Sequence, residues 1–111
     1  MTRPTLGTLE LAALLAVARL GDEAYGLAIR QDLSERAARD YSVGAVYTTL
    51  QRLEDKDLLT SRASEPIPVR GGRSRRLFRV TRLGARAIRD AERQTVSMWA
   101  GVASPVRPRT T

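Results

Sequence analysis

The sequence predicts a mainly helical chain with one two-stranded β-ribbon, arranged as a winged helix-turn-helix unit followed by a long C-terminal helix. Three observations predict it. Apolar residues recur at helical spacing over three segments in the first half of the chain. Two short β-prone runs, Leu58 to Ala63 and Arg76 to Thr81, flank a stretch containing Pro66, Pro68, Gly71 and Gly72. A last periodic segment then continues to about Val102. At 111 residues, 42% of them apolar and 28% charged, the chain suits one globular unit rather than two.

The first helix is expected over Leu6 to Leu20. Leu9, Ala12, Ala13, Ala16, Val17 and Leu20 make one apolar face, and Leu11, Leu14, Leu15 and Ala18 make the other apolar as well. A helix that is apolar nearly all round needs cover on more than one side, so Leu11, Leu14 and Leu15 are read as a dimer contact. Gly21 ends this helix, and Asp22 can cap the next, expected over Glu23 to Ala38 with Leu27, Ala28, Ile29 and Leu33 inward.

Ser42 is a good N-cap for a third helix over Val43 to Lys56. Val43, Val46, Leu50 and Leu53 form its apolar stripe. Its other side carries Ala45, Thr48, Thr49 and Arg52, which is slim, polar and nearly uncharged. In the last helix Ile88, Ala91, Thr95, Met98 and Val102 step by alternating threes and fours, a heptad-like seam read as dimer packing, with Trp99 beside it. The expected division is a unit over residues 1–81, a pairing helix over 82–102 and a disordered tail over 103–111.

Charge is concentrated. Residues 1–61 hold seven basic and nine acidic side chains, residues 62–86 hold eight arginines and one glutamate, and residues 87–111 hold four basic and two acidic side chains, for a total of +7. Arginine offers a planar fork of donors that fits phosphate and guanine edges. A GC-rich genome would also raise the arginine content, but it does not explain the clustering. The chain lacks cysteine, which excludes disulfides and cysteine-type zinc sites. It also lacks histidine and has one lysine, so the usual nucleophile–base pairs are missing and catalysis is not expected. No cofactor or metal is implied. No apolar run approaches a bilayer span and no secretory signal is seen, which reads as a cytoplasmic protein.

The stretch YSVGAVYTTLQRLEDKDLL (Tyr41 to Leu59), with RGGRSRRLFRVTRLGARAI (Arg70 to Ile88) and EAYGLAIRQDL (Glu23 to Leu33), resembles the PadR family of bacterial transcriptional regulators. The most specific pieces are Gly44, Tyr47, Leu50, Arg52, Leu53 and Glu54 in one helix and Val80-Thr81 with Gly84 after the ribbon. The single last helix resembles the small subfamily. The resemblance implies a repressor, dimeric through its first and last helices, on an inverted-repeat operator. Two positions depart from the family pattern: Asp57 stands where glycine is common after the third helix. Arg82-Leu83 stand where proline or an acidic residue is frequent, which leaves the start of the last helix open.

Candidate DNA contacts are Ser42, Gly44, Ala45, Tyr47, Thr48, Thr49 and Arg52 on the third helix. Tyr25 and Gly26 open the second helix, and Arg70, Arg73, Arg75 and Arg76 belong to the ribbon. Gly44 implies a close approach, either of DNA or of the preceding helix. Arg79 is expected on the strand face opposite Phe78 and Val80. Trp99 and Met98 have two readings: anchors of a dimer, or an aromatic wall for a small hydrophobic effector of the kind that multidrug-sensing members of the family bind. The rival functions are a basic RNA- or ribosome-associated winged helix, and a protein-interaction adaptor.

Overall fold

The computed structural model describes residues 6–37, 39–64, 75–103 and 105–109. Its elements are α1 (Thr8–Leu20), a single 3-10 turn (Gly21–Glu23), α2 (Gly26–Ala37), α3 (Val43–Asp55), β1 (Leu59–Ala63), β2 (Arg76–Val80) and α4 (Arg82–Trp99). This is the winged-helix order that the sequence predicts. Ala38 and the ribbon tip, with Arg70 and Arg73, lie outside the described residues.

The core forms around α1. Ala13, Leu14, Ala16 and Val17 are buried there against Ile29 and Leu33 of α2, Val46, Leu50 and Leu53 of α3, and Leu58, Leu59 and Phe78 of the ribbon. Leu14 is 0% exposed, so its assignment to a dimer face is corrected: one chain already covers it. Leu11 and Leu15 keep part of their surface, and Ile88 packs against the edge of the core. Removing a fully buried leucine from such a site costs about 2–5 kcal/mol.

Two apolar side chains expected inside are outside. Leu27 and Val43 are both exposed, because each sits in the first turn of its helix, beyond the reach of the core. The start of α2 also differs from expectation. Asp22 does not cap it; β2 captures the backbone first. Phe78 N–H donates to Ala24 O (2.8 Å) and Tyr25 bridges Leu77, which holds residues 24 and 25 extended and delays the helix to Gly26. Asp22 instead faces Arg79 at 3.7 Å on the surface.

Ser42 caps α3 as expected, its Oγ accepting from Ala45 N–H at 3.1 Å. The end of α3 is set by Asp57, which takes the left-handed conformation (φ 62°) that the family pattern gives to glycine. That turn brings the Leu58 carbonyl to the start of α4. Thr81 N–H donates to it (3.1 Å), and Thr81 Oγ1 donates to Asp57 O (2.6 Å) while accepting from Gly84 N–H (2.9 Å). Thr81 is therefore the cap of α4, and Arg82-Leu83 simply occupy its first turn. Gly84 is needed here, because a Cβ would stand 2.2 Å from the Leu58 carbonyl oxygen. Described residues beyond Gly101 form no helix or strand. Among the described residues no helix is long and apolar enough to cross a membrane.

Ion pairs tie the helices together at their ends. Asp32 of α2 is bound by Arg19 of α1 and by Arg36 one turn on. Lys56 Nζ, just past α3, meets Glu10 Oε2 of α1 at 2.6 Å. Hydrogen bonding from Arg19 chiefly, reinforced by its charge and by Arg36 against the opposing effect of burial, holds the Asp32 carboxyl below the usual carboxylate range. Burial pushes Glu10 up, but hydrogen bonds from Lys56 and Gly7 N–H, with the charges of Lys56 and Arg52, outweigh it and leave its pKa lowered.

Both folded-state values are depressed, so their stabilisation is complete above the unfolded-state carboxylate values near pH ~4. It is lost as pH falls through the lower folded values. The melting temperature should therefore stay level from about pH 7 to 5 and drop below about pH 4; Glu10→Gln with Asp32→Asn should flatten that acid limb. At the α4 joint, Gly84→Ala should cost about 1–3 kcal/mol by overpacking, measured by urea denaturation against an Ala85→Gly control on the exposed side of the same turn.

Candidate nucleic-acid interface

Helix geometry and burial together divide α3. Val46, Thr49, Leu50 and Leu53 face the core, and Gly44, Tyr47, Thr48 and Gln51 repeat at three- and four-residue spacing on the opposite, exposed side. Ser42 and Val43 stand exposed at its start, and Arg52 and Asp55 at its end. Thr49 was expected on the outer face and is corrected: it is 5% exposed, and its hydroxyl donates back to Ala45 O at 2.7 Å. A threonine in a helix satisfies its hydroxyl in this way, one turn back, and presents its methyl to the core. Ala45 is half-buried at the edge.

Among the described residues, no atom beyond Gly44's neighbours and its own helix backbone lies within 4 Å of where a Cβ would sit. Of the two close approaches that a glycine there implied, packing by the preceding helix is thereby removed. Gln51 also lies on this exposed stripe and was not among the sequence candidates. It completes the spacing of Gly44, Tyr47 and Thr48, and that periodicity was the available signal. Its Nε2 donates to Asp55 Oδ1 at 3.0 Å, which orients the amide.

The two edges of this exposed stripe differ. On one edge Arg52 is close enough to α1 for its charge to act on Glu10. On the other, Tyr47 lies across the start of α2. A Cβ on Gly26 would be 2.2 Å from the Tyr47 hydroxyl oxygen, so only glycine allows the phenol to rest there. The first N–H bonded within α2 is that of Ile29, to Tyr25 O (2.9 Å), so the amides of Gly26, Leu27 and Ala28 precede the helical ladder. Beside them the Arg75 guanidinium lies over the Tyr25 ring, 4.2 Å from its centroid. Arg30 Nε donates to Tyr41 O (2.6 Å), which holds the connection into α3 against α2.

The ribbon is antiparallel, with Leu59 opposite Val80, Ser61 opposite Phe78 and Ala63 opposite Arg76. Leu59, Phe78 and Val80 share the face turned to the core. Arg79 alternates to the other face, as expected, where it meets Asp22. Arg76, by the same alternation, is on the inner face near the tip, toward α3. The structure thus brings Tyr25, Gly26, Tyr47 and Arg75 together along one edge of the stripe that holds Gly44 and Thr48, and Arg76 reaches the end of α3 on the same side through Ser61 and Glu54. On α4, Ala91 is half-buried and Thr95, Met98, Trp99 and Val102 are exposed, Met98 by 71% and Trp99 by 65%. The helix ends at Trp99, so Val102 lies just past it.

A profile described as the transcriptional regulator PadR-like family matches residues 14–90, which include α2, α3, the ribbon and the first half of α4. The chain belongs to the PadR-like family. The PadR-like transcription factor from Bacteroides fragilis is similar in structure, with a TM-score of 0.67 and 26% identity over 83% of this chain and 84% of that one. The PadR family regulator from Eggerthella lenta gives 0.63 and 28%, over 84% and 82%. RosR of H. salinarum gives 0.64 and 28%, over 88% and 81%. No curated protein matches the sequence. The matched PadR-like region contains the whole of the stripe and of its tyrosine–arginine edge, and leaves out the start of α1 and the second half of α4.

A test of this edge uses its tightest contact. Gly26→Ala should drive the Tyr47 phenol off α2 and weaken binding to a duplex by roughly tenfold, the worth of one hydrogen bond to a charged group. Tyr47→Phe should give a similar loss with an unchanged melting temperature, read by fluorescence anisotropy and circular dichroism.

Proposed function

We propose that the protein is a dimeric, sequence-specific DNA-binding repressor that reads an inverted-repeat operator. The observation that carries this reading is the division of α3 just described. A stripe free of basic residues from Gly44 to Gln51 is open to solvent, and one edge of it is lined by Tyr47, the first amides of α2, Arg75 and Arg76. A groove-reading helix needs small and hydrogen-bonding groups toward the base edges and cations toward the phosphates on either side. Thr48 and Gln51 supply the first, with Gly44 and Ser42 allowing close approach. The wing edge supplies the second, with Arg52 on the far side; Arg70 and Arg73, between β1 and β2 in sequence, add to its positive charge.

Residues 1–81 act in this reading as the DNA-binding unit and residues 82–102 as the pairing helix. Ile88, Ala91, Thr95, Met98, Trp99 and Val102, with the half-exposed Leu11 and Leu15 of α1, form the surface that a second copy covers. Two reading heads related by a two-fold axis then meet half-sites about one helical turn apart. A small flat hydrophobic effector, where one acts, meets Trp99 and Met98 and relieves binding by changing the angle between the heads.

The experiment is binding to the DNA upstream of the protein's own gene, against a random duplex and an RNA, at two salt concentrations. The expected result is a footprint of two symmetric half-sites and a steep loss of affinity with salt. Gln51→Ala should cost about 1–3 kcal/mol on the specific fragment and little on the random one. Equal affinity for all three nucleic acids would overturn specific repression in favour of a general RNA- or DNA-associated role.

A further inference from the structure

Three side chains join the last turn of α3 to the two wing strands. Ser61 Oγ of β1 lies 2.7 Å from Glu54 Oε1, and Arg76 Nη1 of β2 lies 2.8 Å from the same Ser61 Oγ. Ser61 and Arg76 both occupy the strand face that carries Phe78 inward, so the chain of contacts runs between the wing and the reading helix rather than along its solvent side. Glu54 sits about two turns beyond Tyr47 and a little under one turn beyond Gln51, on the wing side of α3.

The chemistry of the three groups gives this chain one direction. A serine hydroxyl has a single proton, a carboxylate only accepts, and a guanidinium only donates. The Ser61 proton therefore goes to Glu54, and its lone pairs are left for Arg76. Each link has a charged partner, which makes both bonds shorter and stronger than neutral ones. The serine also stands between the opposite charges. A direct carboxylate–arginine pair would orient the guanidinium but neutralise it at contact; through the hydroxyl it is oriented with its charge still presented.

Building on the DNA-binding reading, we propose that Ser61 and Glu54 are positioning residues that hold the Arg76 guanidinium ready at the wing-side edge of α3, where it meets a backbone phosphate of the duplex. One of the five N–H donors of Arg76 is spent on Ser61, and the rest of the fork is available to phosphate oxygens. A long arginine side chain loses much rotamer freedom when it is fixed. Fixing it within the free protein removes that loss from the binding step, which for one side chain corresponds to a gain of roughly 3- to 10-fold in affinity.

The test measures equilibrium binding of the full chain to the upstream fragment at several salt concentrations, with thermal melts alongside. Arg76→Ala should weaken binding and reduce the salt slope by about one, because a phosphate contact is lost. Ser61→Ala should weaken binding about 3- to 10-fold with the salt slope unchanged, because the charge remains. The double variant should bind no more weakly than Arg76→Ala alone. Ser61→Thr, which keeps the hydroxyl, should restore affinity. Glu54→Gln should behave as Ser61→Ala, since its amide can donate to Ser61 and turn the proton toward Arg76.

Additive losses in the double variant, or unchanged affinity in Ser61→Ala, would overturn the assignment while leaving DNA binding intact. A wild-type chain that binds no duplex would overturn the DNA-binding reading and this assignment with it.

Discussion

One peptide carbonyl, that of Leu58, is where α3, the ribbon and the C-terminal helix meet. The left-handed turn at Asp57 presents it, Thr81 N–H donates to it, and Gly84 packs against it so closely that no side chain would fit. Everything that follows in space depends on that joint. It sets the direction in which β1 leaves α3, which sets the inner face of the ribbon. It also aims α4 away from the core, so that only the first half of that helix is covered by its own chain. A turn of different geometry would leave each element intact and point each the wrong way.

The joint gives the molecule a division of labour by charge. Near the core, oppositely charged groups are tied in pairs across helices, as with Lys56 and Glu10 or Arg19 and Asp32, and hold α1 to α2 and α3. At the wing edge the arginines are instead held by weaker or neutral partners: Arg75 by an aromatic ring, Arg76 by a hydroxyl. Paired charges contribute to the fold and screen one another. Charges held by neutral groups stay available to a polyanion. The sequence clusters arginines after residue 61, but only the structure tells which of them keep their field.

Much of the fold was legible because its signals are local. The Ser42 cap, the helical spacing of Val46, Leu50 and Leu53, and the period-two pattern of Phe78 and Val80 each act within a few residues. The misses come from interactions across the chain. Asp22 lost its capping role because β2, more than fifty residues on, captured the backbone at Ala24. Leu14 looked available to a partner because the cover it receives from α2, α3 and the ribbon cannot be counted from α1 alone. Thr49 was misplaced for a smaller reason: a hydroxyl that bonds its own helix looks polar in sequence and is apolar in packing. The exposed stripe of α3 was half legible, since Gly44, Tyr47 and Thr48 were chosen by residue type and prove to share its open side. Gln51 had to be found by phase.

Gly44 costs the protein something that the rest of the chain does not need. No neighbour crowds it, its backbone is ordinary helix, and alanine there would strengthen α3 by nearly a kilocalorie per mole, about what the propensity scales give for glycine against alanine. The fold on its own would discard it. An open glycine on an exposed helix face lets another surface approach closer than a side chain would, and here it is the position where a change would make the protein sturdier while altering what it can approach. A substitution at this site would therefore change the surface that α3 can fit while leaving the core as it is.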